Sequence, residues 1–169
     1  MKTIYIHGLD SSPRPDKIKI LESLGLEVEA LHIDYRKNPD AYAVLEQYMQ
    51  NSDIEFIVGS SLGGRLGFYL SARFQIPALL FNPALHSLSL DMETPAIPEK
   101  INEEQFFVLG ENDQTINPKQ TKDFIRKNKL KKNIRLITCH WLAHQIDLRT
   151  FEEMSRWAVE SLTAKKQNP

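Results

Sequence analysis

Six short runs rich in Ile, Val, Leu and Phe, each separated from the next by room for a helix or a longer loop, constrain this chain more than any other feature. They fall at residues 3–6, 28–33, 54–58, 78–81, 106–109 and 134–138. Each is near-continuous in apolar character rather than alternating, which is the pattern of a parallel strand covered on both faces. Between them, apolar residues recur at helical spacing. Ile18, Leu21 and Leu24 follow Ser12 and Pro13, a capping hydroxyl and a proline that predict a helix start, and Gly25 ends the run. Residues 39–50, 62–74, 118–127 and 145–164 give similar patterns. Parallel neighbours require crossover helices, so the alternation predicts an α/β fold. The expected architecture is a three-layer α/β/α sandwich around a mostly parallel six-stranded sheet.

A chain of 169 residues is expected to form one domain, 1–169, large enough for a core of its own. There is no internal repeat, low-complexity tract or linker to divide it. Residues 85–102, with Pro95 and Pro98, lack a periodic pattern and read as a loop or short lid; residues 165–169 read as a frayed tail. A single cysteine, Cys139, excludes an intramolecular disulfide framework, and no ligand cluster has zinc spacing. The formal net charge of -1 argues against a nucleic-acid partner. The apolar run at residues 4–6 is far too short for a signal-peptide core. No stretch approaches the roughly 20 apolar residues that cross a bilayer. The expectation is a compact cytoplasmic protein with no membrane partner.

In open α/β sheets ligands bind at the carboxyl ends of the strands, so the residues just after each run carry the chemistry. After the third run stands Gly59-Ser60-Ser61-Leu62-Gly63, a Gly-x-Ser-x-Gly pattern centred on Ser61. Its physical basis is a sharp strand-to-helix turn. Glycines let the two backbones pass closely while the serine is held strained with its hydroxyl exposed. By composition alone the pattern arises in roughly one chain in twenty of this length. The weight therefore rests on context, and here a strand precedes it and a helix follows it.

A serine hydroxyl needs a base within hydrogen-bond reach, and the base needs a carboxylate to set its tautomer. Beyond Ser61 the chain supplies both, in the order Ser, Asp, His. Asp113 follows the fifth strand in Gly110-Glu111-Asn112-Asp113, with Glu111 as the rival acid. His140 and His144 both follow the sixth. His144 lies on the loop before the final helix, where a side chain can reach over the sheet edge, and is favoured; His140 continues the strand and stays open as the alternative. Cys139 beside it points to the opposite face and reads as a small buried hydrophobe. The oxyanion of an acyl-transfer intermediate needs preorganised N–H donors. Leu62 at the start of the nucleophile helix offers one. Leu9, in His7-Gly8-Leu9 after the first strand, offers the second, with Gly8 letting that backbone approach.

These residues resemble the α/β-hydrolase superfamily along essentially the whole chain. More closely they resemble the small bacterial esterases of YqiA/YcfP type, through residues 4–13, 57–64 and the motif Phe81-Asn82-Pro83-Ala84. The resemblance implies strand order 2-1-3-4-5-6, with nucleophile Ser61, acid Asp113, base His144 and oxyanion donors Leu9 and Leu62. The chain departs from the larger members of that superfamily in having no room for their usual cap insertion, because the stretch from Ser61 to Asp113 must already hold a helix, two strands and the proline-containing loop. A shallow site, partly covered by residues 85–102, is expected.

The function expected is that of a serine hydrolase acting on small or short-chain acyl esters, with no cofactor or metal. A thioesterase or acyltransferase using the same residues is the alternative within that chemistry. A non-catalytic interaction protein on the same scaffold is the alternative outside it. The basic run from Arg126 to Lys132 reads as a solvated face near a helix C-terminus, without the aromatics that stack on bases. Trp141 and Trp157 read as packing the last helix onto the sheet.

Overall fold

The computed structural model describes residues 1–86, 90 and 92–167. Its elements are Lys2–Ile6 (β1), Pro15–Ser23 (α1), Glu27–Glu29 (β2), Ala41–Gln50 (α2), Phe56–Ser60 (β3), Leu62–Phe74 (α3), Ala78–Phe81 (β4), Gln105–Gly110 (β5), Pro118–Lys127 (α4), Ile134–Cys139 (β6) and Leu148–Gln167 (α5). The six strands form one sheet in the order β2-β1-β3-β4-β5-β6, and every pairing is parallel.

Successive strand side chains point to opposite faces, and both faces here are apolar. Ile4, Ile6, Ile57, Leu80, Phe107 and Leu109 enter one core with Leu45 and Met49 of α2, Leu66 and Leu70 of α3 and Ile125 of α4. Tyr5, Phe56, Val58, Leu79, Phe81, Phe106 and Val108 enter the other with Leu21 of α1 and Phe151, Ala158 and Leu162 of α5. That is the three-layer α/β/α arrangement, and it explains the unbroken apolar runs. Fully burying one Leu, Ile or Phe is worth about 1.5–3 kcal/mol. An ion pair at the sheet edge such as Lys2–Glu29, screened by solvent, adds little by comparison. Two-sided packing therefore holds the central strands.

Several boundaries differ from expectation for identifiable reasons. The second strand spans only Glu27–Glu29 and pairs with three residues of β1, not 28–33. Beyond it Ile33 is buried among α2-side core residues, so its hydrophobicity serves packing rather than the ladder. Helix α1 begins at Pro15 with Arg14 as the uncapped N-cap, not at Ser12. Its end matches the expected stop, since Gly25 has φ +79° and Leu26 N donates back to Leu21 O. Helix α5 starts later than residue 145 because Asp147 caps it, accepting from Thr150 N at 2.9 Å and from Thr150 Oγ1 at 2.7 Å.

The helix then continues through residues 165–167, where a frayed tail was expected; 168 and 169 lie outside the described residues. Residues 85–102 hold no helix or strand where described, and the expected cover over Ser61 falls partly on residues outside that set, at 87–89 and 91. Trp157 packs edge-to-face on Phe106 at 5.0 Å, whereas Trp141 is 63% exposed, its indole Nε1 donating to Thr150 Oγ1. Cys139 is buried. No helix among the described residues is long and apolar enough to cross a membrane.

Candidate active site

Ser61 stands between β3 and α3 with φ 54° and ψ −116°. A non-glycine residue held there costs on the order of 1–3 kcal/mol, and persists only where its surroundings over-determine it. Here the backbone of Ser61 is tied on both sides. Its N–H donates to Phe81 O at 2.9 Å, and its carbonyl accepts from Arg65 N at 3.0 Å and Ala84 N at 3.1 Å. Two glycines make the turn sterically possible. A Cβ on Gly59 would lie 2.5 Å from Gly63 O, and one on Gly63 would lie 2.2 Å from Ile6 O. Gly63 thus lets α3 rest directly on the end of β1. The N–H of Leu62, first residue of α3, belongs to the turn whose amides lack intrahelical partners.

The loop after β1 lies against this turn: a Cβ on Gly8 would sit 3.4 Å from both Ser60 O and Ser61 Cβ. That is ordinary contact, so the close approach expected of Gly8 is present but its glycine is not strictly required there. His7, 1% exposed, holds the loop. Gly8 O can only accept, so His7 Nδ1 carries the proton and donates to it at 2.8 Å; His7 Nε2 accepts from Ile33 N at 3.1 Å. The buried Tyr35 hydroxyl donates to His7 O at 2.8 Å. Downstream, Arg36 grips Asp10 with two bonds of 2.6 Å. Leu9 is therefore presented by a loop anchored on either side.

Burial lowers the His7 pKa below its ordinary 6.5, with the His32 ring nearby acting in the same direction and the Gly8 bond opposing. The unfolded chain then binds more protons than the fold as pH falls through about 6.5, so stability from this group is present above that value and lost below it. The urea midpoint of the wild type is expected to fall more between about pH 7 and about pH 5 than that of His7→Gln. Parallel profiles for the two proteins would count against it.

On the opposite side of Ser61, the turn after β5 and the loop after β6 are laced together. Glu111 N donates to Cys139 O and Asn112 N to Leu142 O, each at 3.0 Å. Asn112 Nδ2 donates to His140 O at 2.7 Å. Gly110 makes this contact possible, because a Cβ there would lie 2.4 Å from Leu142 O. Within the frame, Asp113 is buried and its Oδ1 accepts from Thr115 N and Ile116 N, both at 2.8 Å. Its Oδ2 meets His144 Nδ1 at 2.8 Å, and the imidazole is 29% exposed.

The rival residues pair with each other: His140 Nδ1 meets Glu111 Oε2 on the surface, with the His140 side chain 80% exposed. His140 was expected to continue the strand; β6 ends at Cys139, and His140 stands in the turn beyond it. The fold thus brings Asp113 and His144 into direct contact. It brings Ser61 to the same end of the sheet through β4, whose Phe81 carbonyl holds the Ser61 amide. Among the described residues no group of three or more His, Cys, Asp or Glu is placed to hold a metal ion.

Residues 2–140 match the model of an uncharacterised protein family, UPF0227. The chain belongs to that family. The match to UPF0227 takes in Ser61 and Asp113 and ends just short of His144. Solved structures share the fold of this UPF0227 chain over nearly its whole length. One is an α/β-superfamily hydrolase, so described, from Xanthomonas campestris: TM-score 0.68, 17% identity, covering 95% of this chain and 97% of that one. A monoacylglycerol lipase from Paleococcus ferrophilus gives a TM-score of 0.73 at 15% identity, covering 96% and 94%. An α/β-hydrolase enzyme from the metagenome of lagoon sediments at Mar Chica, Morocco, gives 0.74 at 15% identity, covering 98% and 92%. The fold is that of the α/β-hydrolase superfamily, with the strand order that the sequence resemblance implied.

Proposed function

We propose that this protein is a serine hydrolase of carboxylic esters with small or short acyl groups. Ser61 is the nucleophile, His144 the base, Asp113 the carboxylate that orients it, and the N–H groups of Leu9 and Leu62 the oxyanion donors. The observation that carries the reading is the buried Asp113 carboxylate: two backbone amides occupy Oδ1, and Oδ2 is left for His144 Nδ1. A carboxylate fixed in this way holds the proton on Nδ1 and leaves Nε2 as the basic nitrogen.

In the first half-reaction His144 Nε2 takes the Ser61 proton as Oγ attacks the acyl carbonyl. The oxyanion of the tetrahedral intermediate is met by the amides of Leu9 and Leu62. Asp113 stabilises the imidazolium, which returns its proton to the departing alcohol and leaves an acyl-serine. Water, deprotonated by His144, then releases the acid and restores Ser61.

A fluorophosphonate probe tests the proposal directly. The wild-type protein is expected to take up one probe on the peptide carrying Ser61 and to hydrolyse a short nitrophenyl ester. An unlabelled protein, or an adduct on another residue, would overturn the reading.

A further inference from the structure

Asn82 follows β4 in the motif Phe81-Asn82-Pro83-Ala84, and the catalytic reading gives it no task. It is 1% exposed and has φ 42°, in the left-handed region where Asn is among the few side chains found regularly. Its backbone extends the sheet one residue past β4, donating to Val108 O at 2.9 Å. Its carboxamide then spans three segments. Oδ1 accepts from Gly110 N at 2.8 Å, at the start of the turn that carries Asp113. Nδ2 donates to Ala143 O at 2.9 Å and His144 O at 3.3 Å. One residue earlier, Phe81 O holds the amide of Ser61.

We infer that Asn82 is the positioning residue that sets the main chain of His144 relative to Ser61, while Asp113 sets only its ring. The inference rests on the reading of Ser61 and His144 given under Proposed function. Its physical basis is a division of labour. The bond to Asp113 fixes rotation and tautomer of an imidazole, but a ring correctly rotated on a displaced backbone still misses the nucleophile. An error of about 1 Å in such a placement can cost on the order of 100-fold in rate. The Asn82 carboxamide joins the nucleophile's neighbouring strand end to the backbone of the base at donor–acceptor distances that are either made or lost. Neighbouring tethers stop short of the His144 backbone: Asn112 Nδ2 holds His140 O and Asn112 N holds Leu142 O.

Two variants separate positioning from general support. Asn82→Gly tolerates the positive φ and removes the carboxamide. Asn82→Asp keeps its shape and the Oδ1 acceptor but turns an oxygen toward the carbonyls of Ala143 and His144. Asn112→Ala is the control, loosening the same two loops without touching the His144 backbone. On a short activated ester, kcat is expected to fall about 10- to 100-fold in both Asn82 variants with KM within about twofold, and to stay near wild type in Asn112→Ala. Fluorophosphonate labelling of Ser61 should slow by a similar factor in protein whose circular dichroism is unchanged. Wild-type kcat in either folded Asn82 variant would overturn the inference, as would an equal loss in Asn112→Ala. Wild-type protein that is not labelled at all would instead remove the catalytic reading beneath it, so the two failures are distinguishable.

Discussion

His144→Ala is expected to lower kcat on a short activated ester by a factor on the order of 10⁴ to 10⁶, while His140→Ala leaves it within a few-fold of wild type. The two histidines are four positions apart on one loop and differ in what holds them. His144 Nδ1 meets a carboxylate whose side chain is fully buried, and whose other oxygen is already committed to two amides. The carboxylate cannot turn away, so the ring has one orientation and one tautomer. His140 meets Glu111 at the surface, with the His140 side chain 80% and the Glu111 side chain 46% exposed. An exposed pair of that kind contributes about 0–1 kcal/mol and leaves the ring free to rotate. The comparison is a steady-state assay of the two purified variants, with folding checked by circular dichroism. Loss of turnover in His140→Ala with activity retained in His144→Ala would reverse the assignment.

Asp113→Asn is expected to reduce kcat by about 10⁴-fold, and Glu111→Gln to change it little. The direction follows from the amides of Thr115 and Ile116. Both donate to Oδ1, so an asparagine at this position keeps its carbonyl oxygen there and turns its NH₂ toward His144. A donor facing Nδ1 favours the tautomer with the proton on Nε2, which can no longer accept from Ser61. The substitution thus changes the tautomer while leaving the geometry almost intact. kcat should fall while fluorescence and the urea midpoint move little. A loss of activity in Glu111→Gln equal to that in Asp113→Asn would contradict the roles assigned to the two acids.

Ser61 is legible in sequence because its constraints are local. A strained serine between a strand and a helix needs glycines at fixed offsets, and Gly59 and Gly63 are there for clashes visible within a few residues and one neighbouring strand. The central strands are legible for a similar reason, since residues covered on both faces leave an apolar run. Edges are not: β2 is three residues long although apolar residues continue to Ile33, because Ile33 is spent on the core beneath α2 rather than on the ladder. The start of α5 is legible only in part: Asp147 is a preferred N-cap type, but the helix-forming Gln145 and the apolar Ile146 carry the pattern two residues ahead of it, and the bonds from Thr150 decide for Asp147.

The sequence by itself determined the α/β class, the place of the elbow at Ser61 and the order in which candidate acid and base follow it. Strand alternation and the Gly-x-Ser-x-Gly turn depend on interactions close along the chain. Only the tertiary structure decided which acid meets which histidine, because Asp113 and His144 are neighbours solely through the pairing of β5 with β6 and the bonds that lace their loops. It also gave Asn82 its contacts. That side chain reaches the end of β5 and the loop after β6, a junction set by the order of strands in the sheet and not by any spacing in the chain.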